Sequence, residues 1–217
     1  RISVDQESFT ESFQFYSHNL LLKLRSDIEK YIKIRPNFKS SFKPLKISSK
    51  APGIIKSMAC AAKVANVGPM AAVAGAIAET LGKELSKVAQ EVIIENGGDL
   101  YIQTNHKRII GIFASRTEFS YKLGLEISGD TTPLGLCTSS GIIGSSISLG
   151  KADAVVIKAK TATLADAVVT ATANMIQTPE DLEYAVKFAK KLPDVKGVLA
   201  IKGKNLVAWG DMKLVRI

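Results

Sequence analysis

The sequence predicts an α+β fold, in which antiparallel or mixed sheets lie against a cluster of helices rich in small residues. Helical periodicity dominates the first 81 residues, whereas the middle of the chain consists of short apolar runs separated by polar turns. Because a β-rich middle and a C-terminal meander accompany clustered helices, the pattern favours this class over a doubly wound α/β sheet. A chain of 217 residues fits a single domain over 1–217 with a substantial core.

The first 50 residues are expected to wrap the body of the domain as a hairpin, a helix and a basic loop. Alternating apolar and polar residues over 1–17 predict the hairpin, and apolar residues at every fourth position over 20–34 predict the helix. Pro36 ends this helix, since a proline pushes the residue before it out of the helical region. The Ser- and Lys-rich residues 37–50 are interpreted as the loop.

The remaining elements follow from apolar periodicity and from breaks at Gly and Pro. Helices are predicted over 54–66, 70–81, 165–175 and 179–192, and the first two are dense in alanine, which is typical of close packing against a sheet. Strands are predicted over 91–95, 100–103, 109–113, 121–127, 134–137 and 154–157, and a C-terminal antiparallel meander over 197–201, 205–209 and 212–215.

The positive charge of the chain is concentrated in one segment. The net formal charge is +9, and residues 19–63 hold eleven basic and two acidic residues, so the rest of the chain is neutral. Such a segment suggests an anionic partner, such as nucleotide phosphates, nucleic acid or an acidic protein. The favoured alternative is a solvated, lysine-rich face that binds nothing, because lysines spaced every few residues are common on exposed helices. The few aromatic residues within it favour nucleic acid less than a small phosphate-bearing ligand.

The cysteines and the hydropathy pattern predict a cytoplasmic protein. Cys60 and Cys137 lie among small apolar residues, which is typical of buried, reduced thiols. The longest apolar run, residues 67–78, falls short of the roughly 17–25 residues that a membrane span needs. With no apolar segment behind the first residues, the sequence predicts neither a secretory signal nor a membrane partner.

Two short turns are candidates for binding a ligand. One lies between two predicted strands and consists of Asn96, Gly97, Gly98 and Asp99. Its glycines would bring bare backbone against a ligand, although the same residues are favoured in an ordinary hairpin turn. The other consists of Thr138, Ser139, Ser140 and Gly141 and follows an apolar strand. Its N–H groups and hydroxyls suit a phosphate, and it also fits a plain polar strand end.

A third candidate combines a carboxylate with a hydroxyl one helical turn later. Asp166 and Thr170 share a helix face because residues at i and i+4 point the same way. Their hard oxygen atoms suit Mg²⁺ bound together with a phosphate substrate. Alternatively, Asp166 caps the start of its own helix, and the Thr170 hydroxyl bonds a carbonyl one turn back. The sequence contains no zinc spacing, no phosphate-binding Gly-Lys-Ser/Thr loop and no paired base for a nucleophile, so the catalytic residues are left unknown.

In this order, the three candidate segments resemble the ApbE superfamily, the Mg²⁺-dependent FAD:protein FMN transferases. With residues 67–79, Val-Gly-Pro-Met-Ala-Ala-Val-Ala-Gly-Ala-Ile-Ala-Glu, the chain is specifically similar to uncharacterised protein family 0280, an ApbE-like branch found in archaea and bacteria. The resemblance covers nearly the whole chain, and the Gly-Pro-Met-Ala-Ala stretch is its most specific part.

The resemblance implies an ApbE-like fold with Mg²⁺ held by Asp166 and Thr170. It also implies that the turns 96–99 and 138–141 line a site for FAD, FMN or another phosphate-bearing ligand. Two features of the transferases are missing: the helix at 68–79 replaces their Asp-Leu-Gly-Gly-Ile-Ala-Lys-Gly segment, and residues 142–164 contain no histidine to match their His-Ile-Ile-Asp-Pro stretch.

These patterns leave open whether the protein is an enzyme. The first hypothesis is a metal-dependent binding protein or group transferase, in which Mg²⁺ neutralises a diphosphate. The second is a non-enzymatic binding module that uses residues 19–63 to hold nucleic acid or an acidic partner. The third is an accessory subunit or homo-oligomer, whose small-residue helices pack against a partner chain.

Overall fold

A seven-stranded antiparallel sheet organises the molecule, with helices on one face and a three-stranded sheet on the other. The structure is a computed structural model that describes residues 1–115, 117–140 and 149–217. The strands are β1 (Ile2–Val4), β2 (Val92–Asn96), β3 (Asp99–Gln103), β4 (Arg108–Gly111), β5 (Leu123–Ile127), β6 (Leu134–Ser139), β7 (Ala154–Ala159), β8 (Val195–Lys202), β9 (Asn205–Gly210) and β10 (Leu214–Arg216). The helices are α1 (Glu11–Ile34), α2 (Asn37–Ser40), α3 (Gly53–Ala65), α4 (Val73–Leu85), α5 (Ala162–Asn174) and α6 (Leu182–Ala189), and short 3-10 turns at 69–72 and 179–181 lead into α4 and α6.

Strand order places the sequence-distant β3 and β6 side by side. The large sheet has the order β1-β2-β3-β6-β7-β8-β9, and the small one has the order β10-β5-β4. Side chains alternate between the two faces of a strand, so β7 contributes Val155 and Ile157 to the core beneath the helices, and Ala154 and Val156 to the core beneath the small sheet. The α+β class with antiparallel sheets is therefore confirmed.

The expected N-terminal hairpin is wrong. Only β1 is a strand, and it pairs with β2, while α1 already begins at Glu11. The Thr10 side chain caps that helix by accepting a hydrogen bond from the N–H of Phe13 at 3.1 Å. Phe13 is buried and Phe15 is exposed, so the apparent strand alternation is the inner and outer face of a helix. The predicted helix end before Pro36 is confirmed.

The C-terminal meander is correct for β8 and β9 but wrong for the last strand. β10 pairs with β5 of the small sheet instead of with β9. The chain turns at Gly210, whose φ of +80° favours glycine, and the N–H of Asp211 donates to the carbonyl of Lys196 at 2.9 Å. This turn carries the chain from one sheet to the other.

The predicted burial of the thiols holds for Cys137 only. Cys137 is buried in β6, whereas Cys60 is exposed on α3, and neither forms a disulfide. Among the described residues, no single helix is long and apolar enough to span a membrane; α3 and the following helix reach that length only together, with a bend of 105° between them.

Candidate functional site

The two candidate turns lie next to each other because β3 and β6 are neighbours in the sheet. Asn96 faces Asp99 across the β2–β3 hairpin, and the turn residues Gly97 and Gly98 have φ values of +66° and +104°. The hairpin prediction for this turn is therefore confirmed. A Cβ atom on Gly98 would lie 3.7 Å from the carbonyl oxygen of Thr138, which shows how closely the turn approaches the end of β6.

Asp166 joins these turns through the first turn of α4. Its Oδ2 accepts a hydrogen bond from the N–H of Gly75 at 2.8 Å, and the N–H of Ala74 also contributes. The carbonyl of Ala74 in turn accepts from the Asn96 side chain at 3.2 Å. The start of α4 therefore lies between the Asp166 carboxylate and the hairpin turn.

Asp166 does not cap its own helix. Thr161 is the N-cap of α5, and its hydroxyl accepts from the N–H of Leu164 at 3.2 Å. Asp166 instead satisfies N–H groups at the start of α4, where the helix dipole favours a negative charge. Asp166 therefore accepts N–H groups at the start of a helix, as the capping interpretation predicts, but the helix is α4 and not its own helix α5.

Glu79 of α4 supplies the matching contact to α5. Its Oε2 accepts from the N–H and the hydroxyl of Thr163, at 3.0 and 2.6 Å, and its other oxygen pairs with Lys83. The two helices therefore satisfy each other's first turns through Asp166 and Glu79. The sequence did not lead us to assign Glu79 or Gly75 to this site. The signal that could have identified Glu79 is an acidic residue within an alanine-rich, apolar helix.

Small residues make this close approach possible. A Cβ atom on Gly75 would lie 2.2 Å from the carbonyl oxygen of Ala162 and 2.7 Å from the Cβ of Asp166. A Cβ atom on Gly135 in β6 would lie 2.3 Å from the Cα of Ala162. Larger residues at either position would push α5 away from the sheet and from α4.

Asp99 and Asp166 form a buried acidic pair close to the Cys137 thiol. Asp99 lies directly opposite Cys137 in the β3–β6 register, and the Cys137 Sγ donates to the carbonyl of Ala162 at 3.4 Å. Both carboxylates are more than nine-tenths buried. Within the described part of the chain, Asp99 Oδ1 is buried and has no hydrogen-bond partner.

Burial dominates the protonation of this pair. It raises the pKa of Asp99 to about 7, even though a hydrogen bond from the Thr138 backbone acts in the opposite direction. It also raises the pKa of Asp166 well above the ordinary range, and the nearby Asp99 charge adds to that effect. Burial, followed by the charges of both carboxylates, raises the pKa of the Cys137 thiol.

The carboxylate oxygens of Asp99 and Asp166 suit a cation whose remaining coordination positions are filled by a bound ligand. In the ranges 1–115, 117–140 and 149–217, no group of three or more His, Cys, Asp or Glu side chains is arranged to hold a metal ion. Mg²⁺, however, is commonly bound by one or two carboxylates, with water and substrate phosphates filling the other positions. Two buried carboxylates, one of which has an unpartnered oxygen, match that pattern.

The other predicted site residues lie around this pair. Thr170 is partly buried on α5, one turn beyond Asp166. Thr138 and Ser139 end β6, and Ser140 follows them, all partly buried. Gly141 lies outside the described residues.

Two surface pockets lie elsewhere, along α1. One has a volume of about 530 Å³ and is lined by residues including Tyr16, Lys23 and Glu84. The other has a volume of about 230 Å³ and is lined by residues including Phe9 and Leu21. Neither contains Asp99, Asp166 or the two turns. The convergence of polar groups, and not cavity size, therefore marks the candidate site.

The basic segment packs against the residues that lead into α4. A Cβ atom on Gly68 would lie 1.8 Å from the carbonyl oxygen of Ser41, within the loop that follows α2. Within the segment, Arg25 pairs with Glu29 on α1, whereas the exposed cations over 33–50 form no ion pair among the described residues; they are Lys33, Arg35, Lys39, Lys43, Lys46 and Lys50. Residues 33–50 therefore form an uncompensated positive surface, and Ser41 within it contacts Gly68, just before the 3-10 turn at 69–72.

Comparison with known proteins agrees with the fold and with the resemblance read from the sequence. A sequence model of the family described as AbpE bacteria matches residues 2–195. A UPF0280 protein of Methanococcus aeolicus is 38% identical over 191 residues, which cover 86% of this chain and 77% of that protein. A UPF0280 protein of Archaeoglobus fulgidus is 38% identical over 210 residues, covering 94% and 86%.

Among solved structures, the flavin transferase ApbE from Vibrio cholerae matches with a TM-score of 0.61 and 10% identity, covering 96% of this chain and 90% of that one. At this identity the match shows a shared fold. Together, the family match and the two relatives show that the chain belongs to the UPF0280 family of ApbE-like proteins.

Proposed function

We propose that this protein binds a flavin nucleotide, or another phosphate-bearing small molecule, together with Mg²⁺ beside Asp166. The observation that carries the proposal is the buried pair Asp99 and Asp166, which lies beside the end of β6 and the start of α4. The fold shared with a flavin transferase supports a flavin as the first ligand to test.

Each part of the site has a chemical task in this proposal. Asp166 and Thr170 would hold the cation, which would neutralise the diphosphate during group transfer. The hydroxyls of residues 138–140 would donate to phosphate oxygens. Gly97 and Gly98 leave the hairpin backbone bare, so a ligand can approach it closely.

Calorimetry with FAD, FMN and ADP, each with and without Mg²⁺, tests this proposal. We expect binding of at least one of them to be strengthened by Mg²⁺, and the absorption spectrum of freshly purified protein to reveal a retained flavin. Asp166→Asn should weaken the Mg²⁺-dependent binding by about 10–100-fold or more, because changes around metal ligands lower affinity by that factor. A matched control is Asp153→Asn, because Asp153 is also buried and accepts a backbone N–H, from Gly203 at 2.8 Å. Absence of binding by all three ligands would reject the proposal.

A second candidate function, binding of nucleic acid, is supported by the uncompensated basic surface. No acidic residue occurs from Lys30 to Ala78. Release of phosphate counterions predicts that affinity falls steeply with salt, by about 0.9 log units per log unit of salt for each phosphate contact on duplex DNA. Anisotropy titrations with RNA and DNA at several salt concentrations measure this slope.

Charge-reversal variants test whether nucleic-acid binding depends on this basic surface or only on the overall positive charge of the protein. The test variant reverses Lys39, Lys43 and Lys46, and its control reverses Lys187, Lys191 and Lys204, which are exposed on other elements. We expect only the first to abolish binding. Equal loss in both variants, or salt-insensitive binding, would contradict this function.

A further inference from the structure

We infer that Asp99 is a second carboxylate ligand of the metal site, so that one divalent cation joins β3 to α5 by binding Asp99 Oδ1 together with Asp166. This inference rests on the proposed function, and it assigns to Asp99 a role that neither the sequence pattern nor the resemblance gives it.

The alternation of β3 directs Asp99 towards the helices. Leu100 and Ile102 pack into the core under the small sheet, whereas Tyr101 packs into the core under the helices. Asp99 therefore shares the helix-facing side with Tyr101. Its cross-strand neighbour Cys137 belongs to the same core. Asp166, on α5, lies close enough to Asp99 for their charges to interact.

The pair has no basic side chain to balance it. In the part of the chain that the structure describes, no Lys, Arg or His forms an ion pair with Asp99 or Asp166. Asp99 Oδ1 is buried and makes no hydrogen bond among those residues. Burying a charged oxygen without a partner is costly, so this atom points to a missing positive group.

The groups around both carboxylates are donors, which suit the ionised form. Asp166 accepts N–H groups from Gly75 and Ala74 at a helix start, where the dipole is positive. Asp99 receives the Thr138 N–H. Two carboxylates held by donors can bind a divalent cation, which would satisfy both at once. A proton shared between them is the competing arrangement.

Titration of the full-length chain with Mn²⁺, followed by the electron paramagnetic resonance signal of the free ion, measures the metal site directly. Each titration is run with and without ADP, because a phosphate ligand can complete the coordination. Wild type should bind Mn²⁺, and Asp99→Asn should weaken that binding by about 10–100-fold. Asp153→Asn, a buried carboxylate outside the site, should bind like wild type.

Thermal unfolding distinguishes a metal ligand from a merely structural residue. In metal-free protein, Asp99→Asn should not lower Tm, because its amide can donate to Asp166 in place of the proton that burial holds on the wild-type pair. The same variant should lose the rise in Tm that Mn²⁺ gives to wild type. A lower Tm without metal, combined with an unchanged Mn²⁺ response, would overturn the inference.

Wild-type protein provides a test that needs no variant. Infrared difference spectra should show the carbonyl band of a protonated carboxyl disappearing when Mg²⁺ is added, whereas a persistent band would show a shared proton and overturn the inference. If Mn²⁺ affinity is lost in Asp166→Asn but not in Asp99→Asn, the inference fails and the proposed function stands. If wild type binds a flavin or nucleotide but no metal, the ligand proposal stands and both metal assignments fall.

Discussion

At the scale of single residues, the site depends on glycines that act by having no side chain. Gly75 and Gly135 both touch the backbone at the start of α5, where any Cβ atom would clash. In the sequence these glycines look like ordinary helix and strand positions, because what excludes a side chain is a backbone segment far away in the chain.

Gly135→Ala is expected to destabilise the fold. The new Cβ atom would meet the Ala162 backbone at 2.3 Å, and backbone cannot rotate away as a side chain can. Overpacking of this kind costs about 1–3 kcal/mol in the free energy of unfolding. Urea denaturation followed by circular dichroism measures the change.

Gly53→Ala is the control for that substitution. Gly53 is the first residue of α3, and a Cβ atom there would have no neighbour within 4 Å. Its free energy of unfolding should stay within about 0.5 kcal/mol of wild type. Equal stability of the two variants would show that the contact at Ala162 is not tight in solution.

At the scale of elements, local signals predicted the helices and strands well and predicted their partners poorly. The prediction of a helix over 54–66 differs from α3 by one residue at each end, because apolar periodicity, Pro52 and the left-handed Asn66 are all local. The convergence of the two candidate turns depends on β3 pairing with β6, and the last strand depends on β10 pairing with β5. Long-range pairing leaves no mark in a single sequence, so the reciprocal contacts of Asp166 and Glu79 could not be foreseen.

The contact from Glu79 to α5 should matter more than its exposed ion pair. Glu79→Ala removes the acceptor for two donors of Thr163 within the buried helix interface, and hydrogen bonds to a charged group are worth about 1.5–3 kcal/mol. Lys83→Ala keeps the hydrogen bonds between Glu79 and Thr163 and removes only the ion pair between Lys83 and Glu79. Because Lys83 is largely exposed, losing this ion pair should cost about 0–1 kcal/mol. Denaturant unfolding of both variants measures the difference, and a larger loss in Lys83→Ala would contradict this account.

At the scale of the whole molecule, the buried carboxylate of Glu91 joins the two sheets, in addition to the apolar core between them. Glu91 lies just before β2 and accepts hydrogen bonds from the Thr104 hydroxyl at 2.8 Å and the Asn105 N–H at 2.7 Å. It also contacts the His106 ring at 2.7 Å and pairs with Arg108 at the start of β4. The large sheet is thereby tied to the strand that begins the small one. The sequence offered no signal for this role, since Glu91 appears there as the first polar residue of a strand.

This carboxylate predicts a specific loss of stability in acid. Burial acts to raise the pKa of Glu91, but hydrogen bonds from His106, Thr104 and Asn105 and the charge of Arg108 outweigh it and lower the pKa from 4.5 to about 2. Between these values the unfolded chain binds the proton and the folded chain does not, so the stability that Glu91 contributes is complete above pH 4.5 and is lost as pH falls through 2. Glu91→Gln should therefore flatten the fall in unfolding free energy over this range, measured by urea titrations at successive pH values. Glu183→Gln, on the exposed face of α6, should leave the wild-type slope intact, and an unchanged slope in Glu91→Gln would mean that other carboxylates control acid unfolding.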